Sequence, residues 1–522
     1  MFIFDFIVFV LVLGIIILIH EAGHFYFAKK AGILCHEFSI GMGPAIYQKR
    51  NGETVYSIRS IPIGGYVSMA GESINDALIK KEQVIGVKLN ASNQVYQIIL
   101  NSDLESDHVG IVKSFDLYGK DFDPLFIELD IKGEITKFPV QRDAIYRFAE
   151  KKEMWITPAE KSFESKTLWQ RFMVIFAGPL MNFILALLLF LIVGLFMVKP
   201  NYDSSEIDLV GENSPAASIG IETGAIITSI NGEAVNSWND LSRIMRGLTS
   251  VYVDVDYTLD GTAHSYQDVA VGVIIQMAGF TNISTDGTRY HDEAIIGQAF
   301  GRASSDGKLE SGDQIIAITL DGVTTPISSW DDLVFYFKQH TRGSLEIIYV
   351  RDGQQGSASY EMISERALSK LGYQGIVFQL GITGTASFNL GYSLIYPFRQ
   401  FYGNMMQVFN TLGLLFDRQE NLGLRDLSGP VGIFSLVSNT ASQGIIPLIG
   451  FTAFLSINIG LLNLLPIPAL DGGRLVFLGI EAVTKKPLNR KLENTINNAM
   501  FFLLLGLFVF VTYNDILRLI RG

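Results

Sequence analysis

Residues 20–24 of the chain read HEAGH, a spacing that can hold a zinc ion. Side chains four residues apart lie on one face of an α-helix, so the imidazoles of His20 and His24 can reach the same ion. Glu21 lies beside that ion and can serve as the general base of a peptide hydrolysis. The pattern therefore predicts zinc-dependent hydrolysis, with His20 and His24 as metal ligands and Glu21 as the catalytic residue.

The motif lies within an apolar segment, because residues 6–19 carry no charged side chain and residues 25–28 are again apolar. Ionisable groups are costly in a membrane helix, and they usually mark a functional site there. A chance occurrence of the motif is therefore a weaker explanation than it would be in a soluble helix. The N-terminus lacks a basic region, carries Asp5 and offers no small-residue cleavage site, which favours a retained membrane span over a signal peptide.

The composition indicates a membrane protein with large soluble parts, since 48 % of the residues are hydrophobic and the mean hydropathy is +0.30. Three further apolar runs, at residues 172–198, 445–465 and 499–511 with its flanks, approach the length that crosses a bilayer. A fifth run, residues 390–416, is interrupted by proline and polar side chains and is typical of an amphipathic helix at the membrane surface. The sequence thus predicts a polytopic α-helical membrane protein with four transmembrane helices.

The net charge of −12 is unevenly distributed, since residues 201–385 contain 24 acidic and 10 basic residues. The chain segments that follow the first span and that join the last two spans are instead rich in basic residues. These are Lys29, Lys30, Lys49, Arg50, Arg59, Arg474, Lys485, Lys486, Arg490 and Lys491. Basic connections usually stay in the cytoplasm, so we expect the acidic block and both termini outside and the active site toward the cytoplasmic side. The charge pattern gives no support to a nucleic-acid partner. A single cysteine, Cys35, excludes an intrachain disulfide framework.

The acidic block contains an internal repeat. The sequence GAIITSING at residues 224–232, followed by SWNDL at 237–241, recurs as GDQIIAI at 312–318, a DG pair and SWDDL at 329–333. Each copy predicts a β-strand, an Asn-Gly or Asp-Gly turn and a helix that begins at the Ser-Trp pair. A repeat of this length suits two tandem domains rather than a solenoid. The copies resemble the PDZ domains of bacterial proteases, and a generic pair of small β-domains is the alternative.

Two β-rich segments are predicted between the first two spans. Residues 53–72 alternate in polarity and then contain a Pro-Ile-Gly-Gly turn, which indicates a membrane-associated β-hairpin. Residues 126–131 are strand-like and belong to a cytoplasmic β-rich insert whose role the sequence does not disclose. The predicted domain order is the first transmembrane helix with the hairpin (1–73), the insert (74–165), the second transmembrane helix (166–200), two PDZ-like α+β domains (201–290 and 291–385), an interfacial helix and loop (386–443), and the last two transmembrane helices (444–522).

A catalytic zinc site usually has three protein ligands and one open position. The candidate for the third ligand is Asp471, within the stretch NLLPIPALDGG at residues 463–473. Two prolines and two glycines interrupt the helix there, which lets a carboxylate project into the protein interior. Asp471 could instead cap the helix that follows. Its occurrence together with an intramembrane HEAGH motif favours the role of ligand.

These motifs, in this order, resemble the site-2 protease family of intramembrane zinc metalloproteases. The resemblance covers most of the chain and is carried by HEAGH, FSIGMGP at 38–44, IPIGGYV at 61–67, WQRF at 169–172, AGPLMNF at 177–183, the PDZ-like pair, LSGPVG at 427–432 and LDGG at 470–473. An insert longer than that of the family is the clear departure. The resemblance implies cleavage of a single-span membrane protein in or near its transmembrane segment, as part of regulated intramembrane proteolysis and envelope stress signalling.

The family also implies how the substrate is selected and held. Its usual substrate is an anti-sigma factor whose outer domain another protease has already removed, with remnant signal peptides as a second class. The PDZ-like pair would then be an outer size filter. Asn182 and Asn463 would contact the substrate backbone, with ordinary interhelical hydrogen bonding as an equal alternative. A strand edge that includes Gly64 and Gly65 could pair with an extended substrate.

Two other classes of function compete with the protease. A transporter with an intramembrane metal site predicts inverted repeats and several broken helices, for which four spans without such symmetry give no support. A catalytically inactive membrane scaffold with PDZ-like modules is the stronger alternative. It leaves unexplained why both histidines, Glu21 and Asp471 are all present.

Overall fold

The structure is a computed structural model that describes residues 2–71, 78–150, 152–417, 419–420, 422–423, 426–486 and 489–521. The predicted boundary between residues 73 and 74 lies outside the described residues. Within these described ranges, four helices are long and apolar enough to cross a membrane: Phe2–Lys30, Leu168–Phe196, Ile445–Asn463 and Lys491–Leu517. The prediction of four transmembrane helices is therefore confirmed.

The helices of the described residues are α1 (Phe2–Lys30), α2 (Leu168–Phe196), α3 (Pro215–Ser218), α4 (Trp238–Gly247), α5 (Arg302–Ser305), α6 (Trp330–Gln339), α7 (Glu365–Lys370), α8 (Leu390–Leu415), α9 (Pro430–Ser442), α10 (Ile445–Asn463), α11 (Asp471–Thr484) and α12 (Arg490–Arg521). The first half of the strands is β1 (Cys35–Asn51), β2 (Thr54–Met69), β3 (Val84–Leu89), β4 (Val95–Ile99), β5 (His108–Asp116), β6 (Phe126–Ile131), β7 (Glu134–Ala149), β8 (Lys152–Trp155), β9 (Lys199–Pro200), β10 (Ile207–Val210), β11 (Ile226–Ile230) and β12 (Glu233–Ala234). The second half is β13 (Tyr252–Leu259), β14 (Thr262–Ala270), β15 (Gly272–Ile275), β16 (Phe280–Thr281), β17 (Gln298–Ala299), β18 (Gln314–Leu320), β19 (Val323–Pro326), β20 (Ser344–Arg351), β21 (Gln354–Glu361), β22 (Ile376–Gln379), β23 (Ile382–Gly384) and β24 (Ala386–Ser387).

The chain forms two compact units, residues 1–189 with 434–507 and residues 190–433 with 508–522. In the first unit, β1 and β2 are bent and pair twice. Residues 35–40 of β1 pair with residues 65–69 of β2 on one side. On the other side, residues 37–40 pair with residues 55–58 of β2. Residues 45–51 of β1 pair in turn with residues 54–59 of β2. The segment 65–69 is therefore an edge of this small sheet.

The structure contains a β-hairpin here, but its arms are β1 and β2, whereas the predicted hairpin lay wholly within residues 53–72. The turn lies between Asn51 and Thr54, and the Pro-Ile-Gly-Gly stretch continues β2 instead of turning. The whole of β1 was also missed. Gly41 and Gly43, at φ of 84° and 82°, and the proline that follows lie within this strand, where its register shifts.

The insert is β-rich, as predicted, and contains β3 to β8. A parallel pairing between β4 and β7 closes strands β3 to β7 into a ring. Its interior is filled by Val87, Ile98, Ile127 and Leu129, none of which has exposed surface. The strand predicted at residues 126–131 is β6.

The second unit contains the two copies of the repeat as two similar sheets. The first copy has the order β12-β11-β13-β14 and the second has β19-β18-β20-β21. The predicted turns carry Asn231 and Asp321 with φ of 50° and 52°, each followed by a glycine. Helices α4 and α6 begin at Trp238 and Trp330, where the preceding serine side chain accepts a hydrogen bond from the third helical amide. The β-rich middle region is thus consistent with a pair of PDZ-like domains.

The strands after the second copy pair with the first. β22 pairs with β15, and β23 pairs with β10. The sequence repeat groups residues 376–384 with the second domain, but their hydrogen bonds link them to the first. Helix α8, which contains Pro397, exposes apolar side chains such as Leu394 and Phe398, and it is not among the four candidate spans. This supports its interpretation as an interfacial helix.

In the second copy, the partly exposed side chain of Arg351 forms an ion pair with a buried carboxylate. Its guanidinium donates from Nε and Nη2 to the two carboxylate oxygens of Asp313, at 2.6 and 2.7 Å, and the Asp313 side chain has no exposed surface. Arg351→Ala leaves that carboxylate unpaired, so we expect the local free energy of unfolding to fall by about 3 kcal/mol. Hydrogen exchange in β18 and β20 measures this loss. Arg342→Ala, at an exposed position, is the control, and equal exchange in the two variants would contradict the expectation.

Candidate metal centre

His20 and His24 lie one helical turn apart on α1 and are buried, with 7 % and 8 % of their surfaces exposed. Their Nε2 atoms are 3.2 Å apart. The Nδ1 atom of His24 is 2.7 Å from the carbonyl oxygen of Val174 in α2. The helical spacing therefore brings both imidazoles together, and a backbone carbonyl orients one of them.

Asp471 reaches the histidines from the start of α11. Its Oδ2 atom lies 3.1 Å from Nε2 of His20 and 3.4 Å from Nε2 of His24. The N-cap of α11 is Leu470, and no side-chain cap is formed, so capping does not explain this aspartate. The chain turns sharply before it, through Ala469 at a φ of 74°. A side chain at Gly472 would lie 2.2 Å from the carbonyl oxygen of Leu465, so this tight turn needs glycine.

The three ligand atoms fit a zinc ion. A tetrahedral site with zinc–ligand bonds of about 2.0 Å holds its ligand atoms about 3.3 Å apart, and the three separations here are close to that value. Among the described residues, His20, His24 and Asp471 form the group of side chains able to hold a metal. Gly178 leaves the space beside them, since a Cβ atom there would lie 2.3 Å from Nε2 of His24.

A cavity of about 620 Å³ opens at this group. Glu21 lines it beside the histidines, as do Gly64 and Gly65 of the edge strand and Asn463 at the end of α10. The Cβ position of Gly65 is 3.3 Å from Cγ of Glu21, so the edge strand passes directly beside this carboxylate. The structure thus brings the candidate base and three of the four candidate substrate-binding residues to one cavity.

Asn182 has a different position. Its side chain has no exposed surface, and it is not among the residues that line the cavity. Its amide nitrogen lies 3.2 Å from Nδ1 of His20, the ring nitrogen that does not face Asp471. The structure therefore groups Asn182 with the metal ligands rather than with the cavity wall.

Several residues at the site were not identified from the sequence. Asn497 and Asn498 of α12 line the cavity, and Asn497 Oδ1 accepts a hydrogen bond of 3.1 Å from the amide of Ala469, in the turn before Asp471. The polar cluster at the start of the last apolar run could have indicated them. Arg171 of α2 donates two hydrogen bonds, of 3.0 and 2.5 Å, to the carboxylate of Glu481 in α11. This ion pair fixes the helix that carries Asp471 to α2.

A polar network stabilises the sheet next to the cavity. Arg59 donates to Glu37 and to the hydroxyl of Tyr66, which itself donates to Glu37 at 2.6 Å, and Ser57 donates to the same carboxylate. Burial opposes ionisation of Glu37, but these hydrogen bonds hold its pKa below the usual value. Burial and the bond to Glu37 raise the pKa of Tyr66 to about 12. At neutral pH the network is therefore an ionised carboxylate held by an arginine, a tyrosine and a serine.

Comparison with known proteins places this site in a family. Residues 8–507 match peptidase family M50. The chain is 32 % identical over 515 residues to the zinc metalloprotease RasP of Shouchella clausii, covering 98 % of each chain. It is 31 % identical over 521 residues to the regulator of sigma-W protease RasP of Bacillus subtilis, covering 99 % of this chain and 100 % of the relative. RasP of Bacillus licheniformis is 30 % identical over 521 residues, with 98 % and 99 % covered.

Among site-2 proteases, the motifs suggest the bacterial regulator of sigma-E protease, RseP. The relatives described above are RasP proteins, so they support the family but not this particular member. The coarser assignment is supported by the family match, by relatives that extend over the whole chain and by the metal-binding group of His20, His24 and Asp471. The chain belongs to peptidase family M50, the site-2 protease family of zinc metalloproteases.

Proposed function

We propose that the chain is an intramembrane zinc endopeptidase that hydrolyses a peptide bond within or near the transmembrane segment of a single-span membrane protein. The observation that carries this proposal is the position of the metal-binding group. Its two histidines lie in a candidate membrane span, and the group opens into a cavity bordered by the edge strand at residues 65–69. A substrate reaching this cavity has to leave the helical state, because the peptide bonds of a helix are already hydrogen-bonded and shielded.

In this proposal His20, His24 and Asp471 hold the zinc ion. When bound, zinc polarises the scissile carbonyl and lowers the pKa of the attacking water. Glu21, which lines the cavity beside the histidines, accepts the proton of that water at a carboxylate oxygen and donates it to the leaving amine.

The substrate would be held in an extended conformation. Residues 65–69 pair with β1 on one side, and this strand lines the cavity, so its other edge can add a substrate strand by backbone hydrogen bonding. Gly64 and Gly65 allow the substrate backbone to come close because they carry no side chain. Asn463, at the cavity wall, would donate to or accept from the substrate backbone.

The substrate class that best fits the family is a single-span anti-sigma factor whose outer domain has already been trimmed. The name of the Bacillus subtilis relative, regulator of sigma-W protease, supports this class. Remnant signal peptides form a second class. The bacterial relatives support a location in a bacterial cytoplasmic membrane. The basic loops support an orientation in which the PDZ-like domains face outward and the active site lies toward the cytoplasm.

The proposal is tested with detergent-purified protein and a single-span test substrate that carries a short outer segment. We expect cleavage that stops when zinc is chelated and resumes when zinc is returned. Mass spectrometry of both products should place the cut inside or next to the apolar segment. Cleavage confined to the soluble flanks would contradict an intramembrane activity.

A catalytically inactive scaffold with PDZ-like modules is the alternative. Its supporting observation is a groove of about 760 Å³ in the first PDZ-like domain, between α4 and residues 377–383. The scaffold predicts that substrate binds and is never cut, whereas the protease predicts two products. The same assay therefore separates the two functions.

The PDZ-like pair is expected to restrain substrate entry without taking part in catalysis. Pro200 and Ala386 are neighbours on paired strands, so residues 201–385 can be replaced by a short glycine-serine linker with little strain. We expect this variant to cut a short test substrate at a rate similar to that of the full chain. It should also cut a substrate with a bulky outer domain, which the full chain excludes.

Two controls make this result interpretable. Glu21→Gln in the shortened chain should abolish both cleavages, which shows that the site itself performs them. Zinc content should match that of the full chain, which shows that the membrane part is intact. Loss of all cleavage with zinc retained would mean that the PDZ-like pair positions the substrate directly, and the restraint would be disproved.

A further inference from the structure

The Nδ1 atoms of the two histidines face different kinds of hydrogen-bonding group. Nδ1 of His24 faces the carbonyl oxygen of Val174, which can only accept a hydrogen bond. The hydrogen of a neutral His24 imidazole is therefore on Nδ1, and the lone pair of Nε2 faces the other ligand atoms. This ring has the metal-binding tautomer before any ion is bound.

Nδ1 of His20 faces a carboxamide instead. The amide nitrogen of Asn182 lies 3.2 Å from it, and in that orientation the ring nitrogen accepts the hydrogen bond. The hydrogen of His20 is then on Nε2, where it donates to Asp471 at 3.1 Å. A ring in this tautomer has no lone pair on Nε2 to offer to an ion.

Rotation of the Asn182 amide by half a turn reverses this arrangement. The rotation presents Oδ1 to the ring, and Oδ1 is buried without a hydrogen-bond partner among the described residues. Nδ1 of His20 can then donate to it, which frees the lone pair of Nε2 for the ion. A carboxamide suits this position because it can donate to one tautomer and accept from the other.

We infer that Asn182 is a positioning residue that holds the His20 ring in its metal-binding tautomer and orientation by accepting a hydrogen bond from Nδ1. The inference rests on the proposed ligation of zinc by His20. It gives Asn182 a role in metal affinity and removes it from the substrate-binding residues, because its side chain has no exposed surface. Hydrogen-bond partners of this kind fix the tautomer of histidine ligands in metal sites.

The test is the zinc affinity of purified, metal-free protein, measured by competition with a chromophoric chelator. Asn182→Leu has the same number of side-chain heavy atoms in a larger volume and removes the acceptor, so we expect zinc to bind about 10- to 100-fold more weakly. Asn182→Asp keeps the volume and supplies a carboxylate acceptor, so it should retain an affinity within a few-fold of the original. Asn182→Ala removes the acceptor without adding volume, so zinc lost in both the leucine and alanine variants and retained in the aspartate variant indicates loss of the acceptor and not overpacking.

Ser456→Ala is the matched control for helix packing. The Ser456 hydroxyl donates to the backbone carbonyl of Asn182 at 2.8 Å and not to its side-chain carboxamide. Its removal should leave zinc affinity unchanged. If Asn182→Leu does not fold, Asn182→Ala, which removes the same acceptor by deleting atoms only, decides in its place.

The possible results distinguish a failure of the positioning role of Asn182 from a failure of the proposed zinc ligation. Wild-type zinc affinity in the leucine variant, or equal losses in the leucine and aspartate variants, would overturn the positioning role. His24→Ala is measured in parallel and should lose zinc. If it does not, the ligand assignment itself is wrong, whatever the Asn182 variants show.

Discussion

Glu21→Gln protein is expected to bind zinc like the original chain and to cleave its substrate about 10²-fold more slowly or worse. Glutamine has the shape of glutamate but cannot accept a proton at neutral pH. Glu21 lies in the cavity beside the histidines, and it is not one of the three residues whose ligand atoms converge. The substitution should therefore remove proton transfer and leave the metal-binding group intact.

The measurement combines single-turnover cleavage of a single-span test substrate with zinc analysis of the same preparation. Glu134→Gln, at an exposed position in the insert, makes the same chemical change far along the chain and serves as the control. It should retain full activity. Cleavage by Glu21→Gln at the original rate would rule out Glu21 as the base, and loss of zinc together with activity would show that Glu21 supports the metal instead.

The ligand set is the part of the site that could be predicted most directly from the sequence. A spacing of four residues on a helix is sufficient to place His20 beside His24, and the cost of ionisable groups in a membrane helix argues against a chance motif. Asp471 is separated from them by more than four hundred residues. It could be identified only because prolines and glycines interrupt a membrane helix at the carboxylate.

The tandem repeat shows where local sequence signals are sufficient and where they fail. Its strands, turns and helix starts follow from Asn-Gly and Asp-Gly turns and from serine N-caps, all of which are local. Strands β22 and β23 pair with the first copy after the second copy has intervened. No local pattern distinguishes the partner of an edge strand, so this arrangement could not be predicted.

The contacts of the metal ligands with neighbouring side chains could likewise not be predicted from the sequence. Whether Asn182 faces a substrate or a histidine depends on the rotation of α2 about its axis, which neighbouring helices determine. The support of the turn at Ala469 by Asn497 depends on a contact between two membrane helices. Sequence reasoning identified Asn182 as polar in apolar surroundings, but it could not assign its partner.

Asp471→Asn protein is expected to lose zinc, and with it all cleavage. Asparagine has almost the same shape as aspartate and is a good helix N-cap, so the substitution retains any capping role and removes the carboxylate. The Asp471 carboxylate is the one anionic member of the converging group, and its Oδ2 atom lies within 3.4 Å of both imidazoles. A neutral amide oxygen is a much poorer ligand for zinc than a carboxylate.

The expected loss of zinc affinity exceeds the factor of about 10 to 100 that is typical of residues outside the ligand set. This ordering is itself a test, since Asp471→Asn should bind zinc more weakly than Asn182→Leu in the same chelator competition. Glu21→Gln is the matched carboxylate-to-amide control within the cavity and should retain zinc. If Asp471→Asn kept zinc with the affinity of the original chain, Asp471 would not be a ligand, and His20 and His24 would need a third partner from elsewhere in the protein.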